Sequence, residues 1–269
     1  MAALAAAQAA AAEAAAFLRE QEGSQRTDQW SEKGRHDFVT EVDRESERRI
    51  AARLLAAFPR SAILGEELTP AGPATPPAGG ALTWIVDPLD GTTNYLHRYP
   101  WYAVSIAATL GGELIAGVVH HVTPDVVYTA TRGGGATRDG RPIRASTVTE
   151  PGHALIGTGF PFKALDQLPR YQRQFALIME RSAGVRRAGS AALDLCDVAA
   201  GRFDGFWELV LAPWDVAAGA LIAREAGALV TGLGGEADVL RHGPIVAGNA
   251  TIHRWLLGVL SESEGNARA

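Results

Sequence analysis

Trp84–Tyr95 reads WIVDPLDGTTNY. An apolar run meets two aspartates, Asp87 and Asp90, split by a proline and a leucine, and a glycine and two threonines follow. The run predicts a buried strand, Leu82–Val86, ending in a proline turn that enters a helix at Gly91-Thr92. A helix start exposes unpaired amide N–H groups and attracts anions such as phosphate. Two carboxylates at the same point repel each other and repel phosphate. A hard divalent cation removes the conflict, because Mg2+ takes carboxylate, carbonyl and phosphate oxygens together. The Leu89 carbonyl, fixed by the turn, is a further candidate ligand. The plain structural alternative is that Asp90 caps the helix and Asp87 forms the turn. Two more acids weigh against it. Glu66 follows a short apolar segment at Gly65, and Asp215 opens a helix after Trp214. No histidine or cysteine pattern competes for a softer metal.

Outward from this stretch the first half reads as helices plus an antiparallel meander. An alanine-rich helix, Ala3–Gln21, stops near Gly23. The polar stretch SQRTDQWSEKGRH precedes a second helix from near Asp43 to before Pro59, with Ile50, Leu54, Leu55 and Phe58 on one face and charges on the other. A short strand spans Ala62–Leu64. LTPAGPATPPAGG carries four of the 14 prolines, so it reads as a surface loop. Trp101–Thr109, Glu113–His121 and Val126–Thr131 are β-rich and joined by Gly111-Gly112 and Pro124-Asp125, the pattern of hairpins. RGGGATRDGRPIRAS adds a further hairpin. The second half alternates: strands at Ala154–Thr158, Val185–Ala188, Gly205–Leu209, Ala228–Thr231 and Ile245–Ala247, and helices at Leu168–Arg181, Ser190–Ala200, Trp214–Ala226 and Ile252–Leu260. That rhythm is α/β, with an α+β first half. The expected division is residues 1–145 and 146–269, packed as one compact unit.

The 269 residues suit such a unit. A net charge of −5 excludes general electrostatic affinity for nucleic acid. The single cysteine, Cys196, excludes an internal disulfide framework, fits a reducing compartment and reads as a small buried apolar residue. The N-terminus lacks a basic region and is broken by Gln8 and Glu13, unlike a signal peptide. No apolar run has the length of a membrane span. The expected location is the cytoplasm.

Several stretches, in order, resemble the inositol monophosphatase family, bacterial type, within the lithium-sensitive Mg2+-dependent phosphatases. They are DFVTEVD at Asp37–Asp43, GEE at Gly65–Glu67, WIVDPLDGTTNYLH at Trp84–His97, RRAGSAALDLCDVAAGRFDGFWE at Arg186–Glu208 and WDVAAGALIAREAG at Trp214–Gly227. The likeness covers nearly the whole chain. Departures are mild: Leu89 for the commoner isoleucine, Tyr95 where phenylalanine is usual, and Ala228 for a second glycine.

The resemblance implies a layered αβαβα sandwich, a homodimer, and hydrolysis of myo-inositol 1-phosphate or related polyol and sugar phosphates by direct attack of a metal-activated water. It implies two to three Mg2+ ions, or Mn2+: one at Glu66, Asp87 and the Leu89 carbonyl, a second at Asp87, Asp90 and Asp215, and a weaker third beside Glu66. The four carboxylates and a phosphate dianion sum to about six negative charges, which three divalent ions neutralise. Glu66 and Thr92 would orient the water, with Asp43 holding Thr92. Gly91 and Thr92 would bind phosphate, and Lys33, Asp90, Ser190, Ala191 and Glu208 would meet the substrate. Arg186 and Arg187 would hold a second phosphate, pair with acids or lie at a subunit contact. Fructose-1,6-bisphosphatase, histidinol-phosphate and phosphoadenosine-phosphate phosphatases share the implied scaffold, and a regulatory role in an RNA or protein complex is the alternative of another class.

Overall fold

The computed structural model describes residues 1–23, 31–34, 37–68 and 80–265, side chains of 31–39 and 265 excepted. Lys33 and the 69–79 part of the proline-rich loop therefore lie outside the described side chains and residues. Two helices come first, α1 (Ala2–Gln21) and α2 (Glu41–Ala57), with a two-stranded antiparallel ribbon between them, β1 (Ser31–Gly34) and β2 (Asp37–Val39). Its first strand falls in the stretch read only as polar, and its second, Asp37–Val39, has three residues, too few to show a period-2 signal.

Seven strands build the first sheet: β3 (Ala62–Gly65), β4 (Leu82–Asp90), β5 (Ala103–Leu110), β6 (Glu113–His121), β7 (Val126–Thr131), β8 (Gly135–Arg138) and β9 (Arg141–Pro142). They lie side by side in chain order. Only the β3–β4 pair is parallel. A short helix, α3 (Thr92–Leu96), interrupts the meander after β4. The second half contributes β10 (Leu155–Thr158), α4 (Leu168–Arg181), β11 (Gly184–Arg186), α5 (Ala191–Ala199), β12 (Gly205–Leu211), α6 (Pro213–Glu225), β13 (Leu229–Thr231), β14 (Gly243–Gly248) and α7 (Ala250–Gly265). Its sheet runs β11-β10-β12-β14-β13 and is mixed: β10 is parallel to β11 and β12, and β14 is antiparallel to β12 and β13.

Alternation along the strands decides the layering. On one face of the first sheet, Trp84, Val86, Val104, Ile106 and Val118 pack against the alanine face of α1 and against α2. The opposite face, with Ile85, Ala103, Ala107 and Val119, packs against α5 and α6. Those helices also cover one face of the second sheet through Phe206 and Ala247. Its other face, Ile156, Trp207 and Val246, meets α4 and α7. The order of layers is helices, sheet, helices, sheet, helices. Both faces of the first sheet are covered, so His120 and His121, which point to opposite faces, are both buried. His120 Nε2 lies 2.8 Å from Asp125 Oδ1 and His121 Nε2 lies 3.1 Å from the Pro100 carbonyl, which leaves no paired imidazoles for zinc.

Two element boundaries and the burial of one helix face differ from the sequence reading. α2 starts two residues early because Thr40 caps it: its Oγ accepts the Val42 N–H at 3.1 Å, while the Asp43 carboxylate accepts the Thr40 N–H at 2.9 Å. Its polar face is also not uniformly solvated. Asp43, Ser46 and Glu47 are buried, whereas Leu55 is exposed. Finally, β4 continues through Pro88 to Asp90. Its register against β5 shifts between Asp87, opposite Ser105, and Asp90, opposite Ala103, and β3 pairs with it only as far as Val86. Proline is tolerated there because it sits in a bulge on a segment that has lost one neighbour.

Helix α5 comes close to α6 at Gly219, where a Cβ would stand 2.7 Å from Leu195 Cβ and 3.3 Å from the Ala192 carbonyl oxygen. Gly219→Val is expected to destabilise the protein by about 1–3 kcal/mol through overpacking, read as a lowered midpoint in urea unfolding at unchanged slope.

Candidate active site

The bulge in β4 aims its carboxyls. Asp87 is fully buried, and its Oδ1 accepts the Leu89 N–H at 3.0 Å, closing the turn around Pro88. Gly91 has φ +96°, and a Cβ there would meet the Trp101 carbonyl oxygen at 3.0 Å and Tyr102 Cβ at 3.2 Å. Only glycine fits this reversal. The chain then enters α3. The Thr92 hydroxyl lies 3.1 Å from both Asp43 Oδ1 and the Leu89 carbonyl oxygen. Tyr95, the residue at a position expected to hold phenylalanine, is buried and uses its hydroxyl to donate to the Leu18 carbonyl at 3.2 Å, which fastens this turn to α1.

The second half closes the site. Asp90 Oδ2 accepts the Ser190 hydroxyl at 2.6 Å and the Ala192 N–H at 2.8 Å, so a first-sheet carboxylate holds the start of α5. Ser190 caps that helix by accepting the Leu193 N–H at 3.3 Å. Asp215, in the first turn of α6, accepts the Ala212 N–H at 2.6 Å. Glu66 leaves β3 with its own N–H on the Val86 carbonyl at 3.2 Å. These groups line one cavity of about 290 Å3 together with Leu89, Gly91, Thr92, Ala191 and Glu208. Asp43 stands one hydrogen bond behind it, through Thr92.

Burial and mutual repulsion raise the acids. Asp87 is pushed well above the usual carboxylate range by burial first, then by Glu66, Asp90 and Asp215. Asp90 rises to about 6, again mainly by burial, against the Ser190 hydrogen bond. Asp215 rises to about 7 by burial and Glu66. Carboxyls held this way are poorly compensated, and a cation is what would relieve them. Among the described residues no three acid, imidazole or thiol groups converge as a preformed metal cage. The donor set nevertheless fits a hard cation: carboxylate oxygens and the Leu89 carbonyl, with no imidazole or thiol among the residues lining the cavity.

Two pocket residues, Lys163 and Asp194, were not among the sequence candidates. Lys163 Nζ lies 4.0 Å from Glu66 Oε1, on a loop without periodicity. Arg187 lies 5.2 Å over the rings of both Phe160 and Phe162 and faces Glu208, whose pKa it lowers. Arg186 instead points outward, onto the Val185 carbonyl at 3.0 Å. Asp194 is 1% exposed and its Oδ1 has no hydrogen-bond partner among the described residues. An aspartate in the otherwise apolar run AALDLC was the available hint. Cys196 is buried, and burial raises its thiol well above the ordinary value, so it is no nucleophile.

Glu208 stands at the far end of the cavity on β12. A Cβ at Gly159 would overlap its carboxyl, so a larger facing residue would displace Glu208 from this position. Burial, then Asp215, raises Glu208 to about 8 from 4.5. Between those values the unfolded chain binds fewer protons than the folded one, so stability falls as pH rises. The metal-free protein is therefore expected to melt at lower temperature near pH 8 than near pH 5. Glu208→Gln is expected to lose less, and to be the more stable protein by about 1–3 kcal/mol near pH 8, measured by calorimetry across that range.

Comparison with known proteins places this geometry. The sequence profile of the Inositol monophosphatase family matches residues 2–264. The chain is 46% identical over 232 residues to the protein named Nus factor SuhB of Pseudomonas aeruginosa, covering 84% of each chain. It is 45% identical over 232 residues to inositol-1-monophosphatase of Rhizobium meliloti, covering 86% of each. Among solved structures, extragenic suppressor protein suhB from Bartonella henselae superposes with a TM-score of 0.89 at 39% identity, over 97% of this chain and 98% of that one. The inositol monophosphatase of Anabaena (Nostoc) gives 0.82 at 35% identity, over 96% and 95%. Over almost its full length, the chain belongs to the inositol monophosphatase family.

Proposed function

We propose that the protein is a Mg2+-dependent phosphomonoesterase that hydrolyses myo-inositol 1-phosphate and related polyol or sugar phosphates. The observation that carries this reading is the gathering of Glu66, Asp87, Asp90 and Asp215 around the Gly91-Thr92 turn in one cavity. Glu66, Asp87 and the Leu89 carbonyl would hold one ion, and Asp87, Asp90 and Asp215 a second, with room for a weaker third beside Glu66. Bound there, such ions supply Lewis acidity, lowering the pKa of a water and neutralising charge on the leaving oxygen.

The chain's own groups do the rest. The amides of Gly91 and Thr92 hold phosphate oxygens, since phosphoryl transfer depends mainly on positioning and charge stabilisation. Thr92 Oγ takes a proton from the attacking water while its own proton passes toward Asp43 Oδ1, 3.1 Å away. Burial raises Asp43 above the ordinary carboxylate range, which suits it to that proton. Glu66 shares in orienting the water, and Lys163 adds positive charge at the same edge of the cavity. Asp90, Ser190, Ala191 and Glu208 face the substrate's hydroxyls. Arg187 is engaged with two phenylalanine rings, which favours a monophosphate over a bisphosphate such as fructose 1,6-bisphosphate.

The name Nus factor among the relatives favours a second reading, a binding role in an RNA or protein complex. The two readings separate on one variant. Asp87→Asn is expected to reduce kcat on myo-inositol 1-phosphate by at least about 1000-fold with an unchanged circular dichroism spectrum. Near-normal turnover would overturn the metal assignment, and a cellular phenotype indifferent to the variant would favour the binding role. Comparing kcat/KM across inositol 1-phosphate, fructose 1,6-bisphosphate, histidinol phosphate and phosphoadenosine phosphate fixes the substrate.

A further inference from the structure

One face of α2 carries buried polar groups, of which only Asp43 enters the proposed reaction. Asp43 and Glu47 lie four residues apart, and both are 1% exposed. Asp43 reaches Thr92. Glu47 reaches elsewhere: Oε2 accepts the Glu67 N–H at 2.7 Å and Oε1 accepts the Leu68 N–H at 3.2 Å. Between them Ser46 donates its hydroxyl to the Pro88 carbonyl at 3.2 Å. A single helix face thus fixes the turn after β3, the bulge of β4 and the start of α3.

The Glu47 contact is specific in three ways. Its amide donors are 20 and 21 residues away, so it caps no helix of its own. It uses both oxygens, and a glutamine has only one acceptor oxygen to offer. It also lies flush on the backbone, because a Cβ at Gly65 would overlap Oε1. Burying a carboxylate is costly, and hydrogen bonds to backbone amides offset the cost while fixing direction. The two amides it holds follow directly after Glu66.

We propose that Glu47 is a positioning residue that holds the Glu66 carboxylate at the edge of the cavity, and so sets the affinity for the cation that Glu66 would bind. The inference rests on the phosphatase reading and extends it to α2. A group behind a metal ligand typically affects metal affinity by about 10–100-fold.

The test titrates the metal-free full-length protein with MgCl2 by calorimetry and follows activity against Mg2+ concentration. Glu47→Gln is expected to weaken Mg2+ binding by about 10–100-fold, with excess Mg2+ restoring most of kcat. In a Glu66→Gln background the same change should add almost nothing, since both act through one carboxylate. Gly65→Ala, which displaces the Glu47 carboxyl without removing it, should weaken binding in the same way, and decides the matter if Glu47→Gln does not fold. A Glu47→Gln protein with lowered melting temperature but unchanged Mg2+ affinity would overturn the inference alone, as would losses that add fully in the double variant. If Glu66→Gln itself leaves Mg2+ binding unchanged, the metal reading falls and the positioning role with it.

Discussion

The molecule is organised around the burial of like charge. Four carboxyls share one cleft, and their repulsion in a poorly solvated site opposes folding. Three of them are tethered by backbone or side-chain donors: Asp87 by the Leu89 amide, Asp90 by Ser190 and Ala192, Asp215 by Ala212. These tethers come from both halves of the chain. Large apolar layers on either side of the first sheet supply the stability that lets the arrangement persist.

The layers also explain why the cleft lies where it does. β4 is flanked by β3 and β5 on its apolar part, and by β5 alone where β3 ends. The bulge falls at that transition. A strand buried on both faces thereby delivers two aspartates and a glycine turn to the one place where its hydrogen-bonding edge is free. α5 and α6, sandwiched between the sheets, bring their first turns to the same place, which is how Ser190 and Asp215 meet residues a hundred or more positions earlier.

Much of this was legible in the sequence. Apolar periodicity placed most helices and strands, and the spacing of Asp87, Asp90 and Gly91 marked the cleft. What escaped has physical causes. The two strands of the ribbon before α2 are four and three residues long, too short to show a period. β4 runs past Pro88 because its neighbour stops, a fact of tertiary pairing. Glu47 looked like part of a solvated helix face, since nothing local reveals that two amides some twenty residues on will cover it. Lys163 enters the cavity from a loop whose path depends on the second sheet. Asp194 differs, because a lone acid within an apolar run did carry a signal.

The bond from Asp90 to Ser190 and Ala192 spans about a hundred residues of chain. Neither sheet alone can form it, and loop closure over such a distance is entropically slow to reward. The cleft is therefore among the last parts of the molecule to become complete during folding. A nascent chain that has finished its first sheet carries exposed, mutually repelling acids with no partner helix. The four-carboxyl cleft is complete only once α6, which carries Asp215, has also been made, so the site is the product of the whole assembly.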